Sequence, residues 1–338
     1  ALPIFTIILG GNMDFNLNLG CIDEGNLSEI SCDKLYDVLV VGTGPSAVSA
    51  AIYAARKGLD VAMIGLKIGG QVLDTREIEN IIGTAKTTGS EYAENLEKHL
   101  KEYCVAFKEG TYVTKIEEDG KNKLITTSDK KIYKSKTVII ATGAKWRELN
   151  VPGEQEYKGK GVHYCATCDG PFYKGLDVAV VGGGNSGIEA ALDMAGIAKN
   201  VTVVEFMPEL KADKILQDKL NERNNIKVIT NAATTKIYGE DFTKGMEYKN
   251  RADESTHELN IDGVFIEIGL TPNSEFAKDL IATNKIGEII IDENNMTNIK
   301  GIFASGDVTT VKQKQIVISV GEGAKAALGA FDYLLKEY

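Results

Sequence analysis

Asp37-Val38-Leu39-Val40-Val41-Gly42-Thr43-Gly44-Pro45-Ser46-Ala47 is an apolar run that breaks into glycines and then continues as a helical pattern to Lys57. The run has the length and content of a buried strand. Glycines allow the tight turn that follows. A helix starting behind such a turn aims unpaired N–H groups and the positive end of its dipole at whatever lies there, which suits a pyrophosphate. The motif counts as a dinucleotide fingerprint only with a strand before it and a helix after it, and both are present. The acid that would hold a ribose is missing here, because the second strand, Asp60 to Ile64, ends at Gly65.

The same grammar returns in the second half. Asp177-Val178-Ala179-Val180-Val181 reads as a strand, Gly182-Gly183-Gly184-Asn185-Ser186-Gly187 as a phosphate turn, and Ile188 to Gly196 as a helix. This unit has the acid that the first lacks. Val201-Thr202-Val203-Val204 ends at Glu205, about twenty residues past the first glycine, where the fingerprint places a carboxylate on the ribose 2′-hydroxyl. A carboxylate there repels a 2′-phosphate and so favours NADH over NADPH. The alternative for Glu205 is a solvated charge at a strand end. Two complete fingerprints predict an α/β chain with two Rossmann-like dinucleotide-binding domains, one for a flavin and one for a nicotinamide.

Between the two units lies Cys165-Ala166-Thr167-Cys168-Asp169-Gly170. Two cysteines three positions apart on one helical turn bring their Cα atoms to roughly 5–6 Å, within the window a disulfide requires. A thiol near a helix N-terminus has a lowered pKa and attacks disulfides at neutral pH, and Asp169 is placed to deliver or accept the proton of each half-reaction. Zinc would need four ligands, and only His163 stands nearby, so a redox-active pair is the expectation and no metal is assigned.

Composition agrees with a soluble enzyme. The 338 residues are 43% hydrophobic and 25% charged, enough for two domains with their own cores. A net charge of −10 argues against a general nucleic-acid binder. Five cysteines at irregular spacing argue against a secreted disulfide framework, which points to the cytoplasm. Ala1 to Gly11 are apolar but too short to span a bilayer, and Met13 is a plausible start. Residues 1–35 read as a peripheral arm, with no role for Cys21 or Cys32.

Other stretches fill in the duplicated plan. An amphipathic helix is expected from about Ser90 to Tyr103, and a β-rich segment from about Ala106 to Thr127. Thr137 to Ile140 runs as a strand into Gly143, and Gly263 to Ile268 repeats that pattern into Gly269. Trp146 and Pro152 fall where the chain crosses between domains. Gly301-Ile302-Phe303-Ala304-Ser305-Gly306 places Asp307 well for a cofactor hydroxyl, and Glu322 to Leu335 reads as a final helix.

Together these motifs resemble the low-molecular-weight thioredoxin reductases and the flavoprotein subunit of bacterial alkyl hydroperoxide reductase, over about residues 36–338. The Cys165–Gly170 stretch is similar to the thioredoxin reductase active site. Gly143-Ala144-Lys145-Trp146-Arg147, Glu205-Phe206-Met207-Pro208-Glu209, and Lys314-Gln315-Ile316 with Gly321 to Lys325 resemble the peroxide-reductase flavoprotein instead. The resemblance implies a FAD-binding domain from two segments, 36–147 and 275–338, with a nicotinamide domain, 148–274, inserted between them and carrying the disulfide. FAD would contact Gly42, Gly44, Ser46, Gln71, Asn80, Asp307, Gln315 and Ile316. The nicotinamide dinucleotide would lie on Gly182, Gly184, Asn185, Ser186 and Glu205. The resemblance also implies a rotating inserted domain, a homodimer through the FAD domains, and Cys168 as the flavin-facing thiol.

Two departures matter. NADPH-using thioredoxin reductases carry His-Arg-Arg where this chain has Glu205-Phe206-Met207, and Lys211 is a poor substitute for a planar guanidinium. The peroxide-reductase flavoprotein begins with thioredoxin-like folds, for which the 35 residues before the FAD domain are too few, so the acceptor is expected to be a separate thioredoxin-like or glutaredoxin-like protein. Lys158 and Lys160 would help dock it, or are ordinary solvated lysines. The competing readings are a conventional NADPH-dependent thioredoxin reductase, a ferredoxin-fed relative, a flavin dithiol oxidase, and a non-catalytic NADH-binding redox sensor.

Overall fold

The computed structural model describes residues 27–75 and 77–338. Leu35–Val41, a run of β-branched and aliphatic residues, lies at the centre of a seven-stranded sheet, parallel to Val61–Ile64 on one side and Ile132–Ile140 on the other. Val105–Lys108 extends the sheet beyond Val61–Ile64, and Ile302–Ala304 returns from the far end of the chain to pair with Ile132–Ile140. Val113–Asp119 and Asn122–Thr127 complete it as an antiparallel ribbon. Val38, Leu39 and Val40 have no exposed surface, as expected of a strand covered on both faces.

A five-stranded sheet repeats that centre. Asp177–Val181 runs parallel between Asn200–Val204 and Gly263–Ile266, with Ile226–Ile229 and Val162–His163 at the edges. In both sheets the central strand ends level with its two neighbours: Val41 stands opposite Ile64 and Ile140, and Val181 opposite Val204 and Ile266. Connections leave the central strand in opposite directions at that level, which opens a crevice at the strands' C-terminal ends.

The two glycine turns are demanded by backbone approach. Gly42 has φ +127°, and a Cβ there would lie 2.2 Å from the Ala141 carbonyl oxygen; Gly182 has φ +126° and a Cβ 2.4 Å from the Glu267 carbonyl oxygen. No other residue fits either place.

Several elements differ from their sequence reading. The C-terminal helix starts at Ile316, six residues before Glu322, and runs to Glu337. Its β-branched first turn hides the helical period. It packs on Pro45–Arg56 through Ala326, Ala327 and Ala330 against Ala47, Ala50, Ala51 and Ala54, and Gly323 approaches the Ser46 carbonyl. Ala232–Gly239, Thr243–Asn250 and Thr256–Asn260 form a separate antiparallel sheet, where the first unit has an antiparallel ribbon joined to its main sheet. The arm lies outside the described residues up to 26, Met13 and Cys21 with it. From Leu27 onward it is not peripheral: Ser28 bridges Ala106, Ile30 is buried, and Cys32 packs against the same core.

The chain passes between the sheets twice, side by side. Ala144–Trp146 pairs antiparallel with Leu270–Pro272, and the Thr142 hydroxyl donates to the Asn273 carbonyl at 2.7 Å while the Asn273 amide donates back to the Thr142 carbonyl at 2.9 Å. No helix among the described residues is long and apolar enough to cross a membrane.

Candidate functional site

The crevice of the first sheet opens into a cavity of about 1690 Å³, larger than a pocket for one small ligand and of a size for a dinucleotide. Gly42, Gly44 and Ser46 line it from the first turn, Gln71 and Asn80 from the loop after the second strand, and Asp307, Gln315 and Ile316 from the C-terminal segment. Gly44 caps the Pro45–Arg56 helix with no side chain over the helix end, so its first N–H groups face the cavity. The Ser46 and Ser305 hydroxyls lie 2.8 Å apart. Asp307 is largely buried, which pushes its carboxyl pKa up, while a hydrogen bond from the Ser319 hydroxyl at 2.9 Å and the nearby Lys314 oppose the shift. Gln71, with its amide turned to match its neighbours, accepts the Trp146 indole N–H at 2.7 Å.

Cys165 and Cys168 form a disulfide that lines this same cavity, with Cα atoms 5.3 Å apart, inside the spacing the sequence predicts. Ala166–Asp169 is a four-residue helix, and Cys165 is its N-cap: the Cys168 backbone N–H points at Cys165 Sγ from 3.2 Å. An N–H so placed stabilises a thiolate on Cys165. A bridge crosses from the first unit to the disulfide. Asn80 donates to Gln315 Oε1 at 3.2 Å, and Gln315 Nε2 lies 3.9 Å from Cys165 Sγ.

Asp169 is not a lone acid. His163 Nδ1 lies 3.1 Å from Asp169 Oδ2, and His163 Nε2 lies 2.7 Å from the Tyr173 hydroxyl. The sequence offered His163 only as a stray metal ligand; its carboxylate and phenol partners are spread over ten residues, and folding alone brings them together. Glu267, also unforeseen, accepts the Ala166 N–H at 3.3 Å, and burial raises its carboxyl pKa to about 7, with Asp193 adding to the shift.

Gly182, Gly184, Asn185, Ser186 and Glu205 lie together at the C-terminal end of the second sheet, outside the cavity. Gly184 again caps its helix with no side chain over the end. Glu205 is not the solvated charge of the alternative reading, being only 8% exposed. Its two oxygens accept the Gly183 and Met207 backbone N–H groups, the latter at 2.6 Å. Beside it stands Arg251, which no motif announced, with its guanidinium 3.8 Å over the Phe206 ring and Nη1 donating to the Phe206 carbonyl at 2.9 Å. Lys158 pairs with Asp74 of the first unit at 3.2 Å.

A family model for pyridine nucleotide-disulphide oxidoreductases matches residues 36–323. The chain is 51% identical over 309 residues to an alkyl hydroperoxide reductase subunit of Staphylococcus aureus, covering 91% of this chain but only 61% of that protein. Among solved structures, thioredoxin reductase from Streptococcus pyogenes is 40% identical with a TM-score of 0.83, covering 89% of this chain and 99% of its own. Lactococcus lactis thioredoxin reductase in its FR conformation is 37% identical over the same shares, with a TM-score of 0.62.

Proposed function

The chain belongs to the pyridine nucleotide-disulphide oxidoreductase family, and from that premise we propose that it is a FAD-dependent disulfide reductase. In this reading NADH supplies electrons that pass through flavin and the Cys165–Cys168 pair to a separate thioredoxin-like or glutaredoxin-like protein. One observation carries it: the disulfide lines the same cavity as all eight residues expected to hold FAD.

The residues present fit the flavin. A Cβ on Gly44 would stand in open space on the cavity, which the glycine leaves free; the bare helix end behind it suits a pyrophosphate, and Asp307 suits a ribityl or ribose hydroxyl. Bound there, FAD supplies the two-electron relay between a hydride donor and a disulfide. The chain's own contribution is to orient it between segments 36–147 and 275–338, to hold Cys165 at the cavity through Gln315, and to place the Asp169 carboxyl beside the disulfide, where it can pass a proton to a leaving thiolate.

Residues 148–274 make the nicotinamide unit in this proposal, on Gly182, Gly184, Asn185 and Ser186. Glu205, fixed by two backbone N–H groups, sets a carboxylate at the ribose end and disfavours a 2′-phosphate. Arg251 is the observation that favours the NADPH-dependent alternative, since it puts a guanidinium near that end; its contacts with Phe206 hold it against the ring. The nicotinamide turn lies outside the cavity that the disulfide lines, so delivery of hydride requires the two units to rotate. The drop in TM-score between two relatives of nearly equal identity and coverage supports such a motion. A homodimer through the first unit and a cytoplasmic setting belong to the same proposal.

An anaerobic titration of the flavin-loaded protein tests it. NADH is expected to bleach the flavin band at small excess, with NADPH far less effective. Bleaching by NADPH alone would overturn the assignment of Glu205 and establish the alternative; bleaching by neither would overturn the nicotinamide-linked function.

A further inference from the structure

His163 stands two residues before Cys165 and has no task in the function proposed above. Both of its ring nitrogens are engaged, Nδ1 with Asp169 Oδ2 at 3.1 Å and Nε2 with the Tyr173 hydroxyl at 2.7 Å. The ring lies against Phe265, 5.4 Å between centroids and 27° between planes, and Tyr173 meets both rings edge-on. Such packing fixes the imidazole in one orientation.

The proton positions follow from the partners. Burial, with the Asp169 charge adding to it, pushes the Tyr173 hydroxyl pKa well up, so Tyr173 keeps its proton and donates to Nε2. Nδ1 then carries the N–H that donates to Asp169. The His163 and Asp169 side chains are 11% and 18% exposed and both residues line the cavity, so the pair exchanges protons with water at its rim. The other titratable groups around it are Tyr173 in the turn after the short helix, Asp262 near that tyrosine, and Glu267 at the Ala166 amide with Asp193 behind it.

Resting on the disulfide-reductase reading, we propose that His163 is a positioning residue that orients Asp169 and recharges it with a proton through the Nδ1–Oδ2 contact. When two electrons enter the Cys165–Cys168 bond, from reduced flavin or from an external dithiol, the S–S bond breaks and a sulfur leaves as thiolate. Asp169 gives that sulfur its proton and becomes a carboxylate. His163 takes a proton from water on Nε2, the Tyr173 hydroxyl turning to accept that N–H; the Nδ1 proton passes to Asp169, and the ring is left neutral with its proton on Nε2. The pair thus relays one proton from water to the disulfide for each bond reduced.

The test uses the full chain and the rate at which dithiothreitol reduces Cys165–Cys168, read by alkylating quenched samples and weighing them, at about pH 5.5 to 9 across the imidazole range. His163→Asn keeps an N–H donor toward Asp169 but carries no proton. The ratio of the unaltered protein's rate to that of the Asn variant cancels the reagent's own titration. It is expected to be about 10- to 100-fold at the acid end, near the lower reach of general acid catalysis, and to fall toward unity at the alkaline end. Added imidazole is expected to restore the rate of His163→Ala. A ratio that does not change with pH overturns the proposal, as does an absence of rescue in a folded Ala variant; if that variant fails to fold, the Asn ratio decides alone. Because this readout needs neither flavin nor nicotinamide, flavin bleaching by NADH in the unaltered protein is scored separately: its failure counts against the reductase reading, and a flat ratio counts against His163.

Discussion

At the scale of single residues, Gly42 and Glu267 show how one atom decides a property. Alanine at position 42 would face a carbonyl oxygen 2.2 Å from its Cβ at a φ of +127°. Strain of that kind costs of order 1–3 kcal/mol before the clash is counted. Gly42→Ala is therefore expected to lower the melting temperature and the flavin-to-protein ratio together; a variant that melts unchanged and still copurifies with stoichiometric flavin would contradict the cradle. Glu267 yields a pH prediction. Burial raises its carboxyl from 4.5 to about 7, so the folded chain holds a proton that the unfolded chain sheds between those values. The associated stability is present below about pH 4.5 and is lost as pH rises through about 7, at most about 3 kcal/mol. Glu267→Gln, which can still accept the Ala166 N–H, should gain on the unaltered protein between pH 5 and pH 8 in denaturant midpoints, and an unchanging difference would refute the cause. The glycine was legible in the sequence because a strand, a turn and a helix surround it. Glu267 was not, because its burial depends on a helix that begins about a hundred positions earlier in the chain.

At the scale of elements, what was legible follows the range of the physics. The central strands Leu35–Val41 and Asp177–Val181, the glycine turns and the Ser90 helix, observed as Gly89–Lys101, rest on local periodicity and were readable to within a residue or two. The strand read from Thr137 begins at Ile132, and the short edge strands Val162–His163 and Ile226–Ile229 were not read. The antiparallel sheet of Ala232–Gly239, Thr243–Asn250 and Thr256–Asn260 was missed because its strands alternate weakly and carry exposed charge. The first turn of the C-terminal helix was missed because Ile316, Val317 and Ile318 are β-branched, and only the packing against Pro45–Arg56 makes them helical. That packing is close: a Cβ on Gly323 would lie 2.1 Å from the Ser46 carbonyl oxygen. Gly323→Ala is expected to push the two helices apart at a cost of about 1–3 kcal/mol, typical of overpacking. Because Ser46 and Ser319 ride on those helices and line the cavity, flavin affinity should fall with it. A calorimetric melting temperature within a degree of the unaltered protein would show that the helices tolerate the methyl group.

At the scale of the whole molecule, the arrangement of the two units is the feature that no local pattern encodes. The paired segments Ala144–Trp146 and Leu270–Pro272 join the units at one place, and polar contacts tie them elsewhere. Lys158 meets Asp74 at 3.2 Å, Lys312 meets Glu189 at 3.5 Å, and Gln315 reaches Cys165 at 3.9 Å. Exposed ion pairs contribute about 0–1 kcal/mol each, so these contacts bias the arrangement without fixing it. A covalent tie across the first pair separates the two half-reactions. In Asp74→Cys/Lys158→Cys, cross-linked with a short bismaleimide while the Cys165–Cys168 disulfide is intact, the disulfide stays at the cavity and the Gly182 turn stays away from it. Electron exchange between a dithiothreitol-reduced Cys165–Cys168 pair and the flavin should then persist. Flavin bleaching by NADH should slow by at least about tenfold relative to the uncross-linked double variant, since the tie removes only the motion that brings hydride to the flavin. Equal bleaching rates with and without the cross-link would mean that nicotinamide reaches the flavin in the observed arrangement, and the rotation would have to be abandoned.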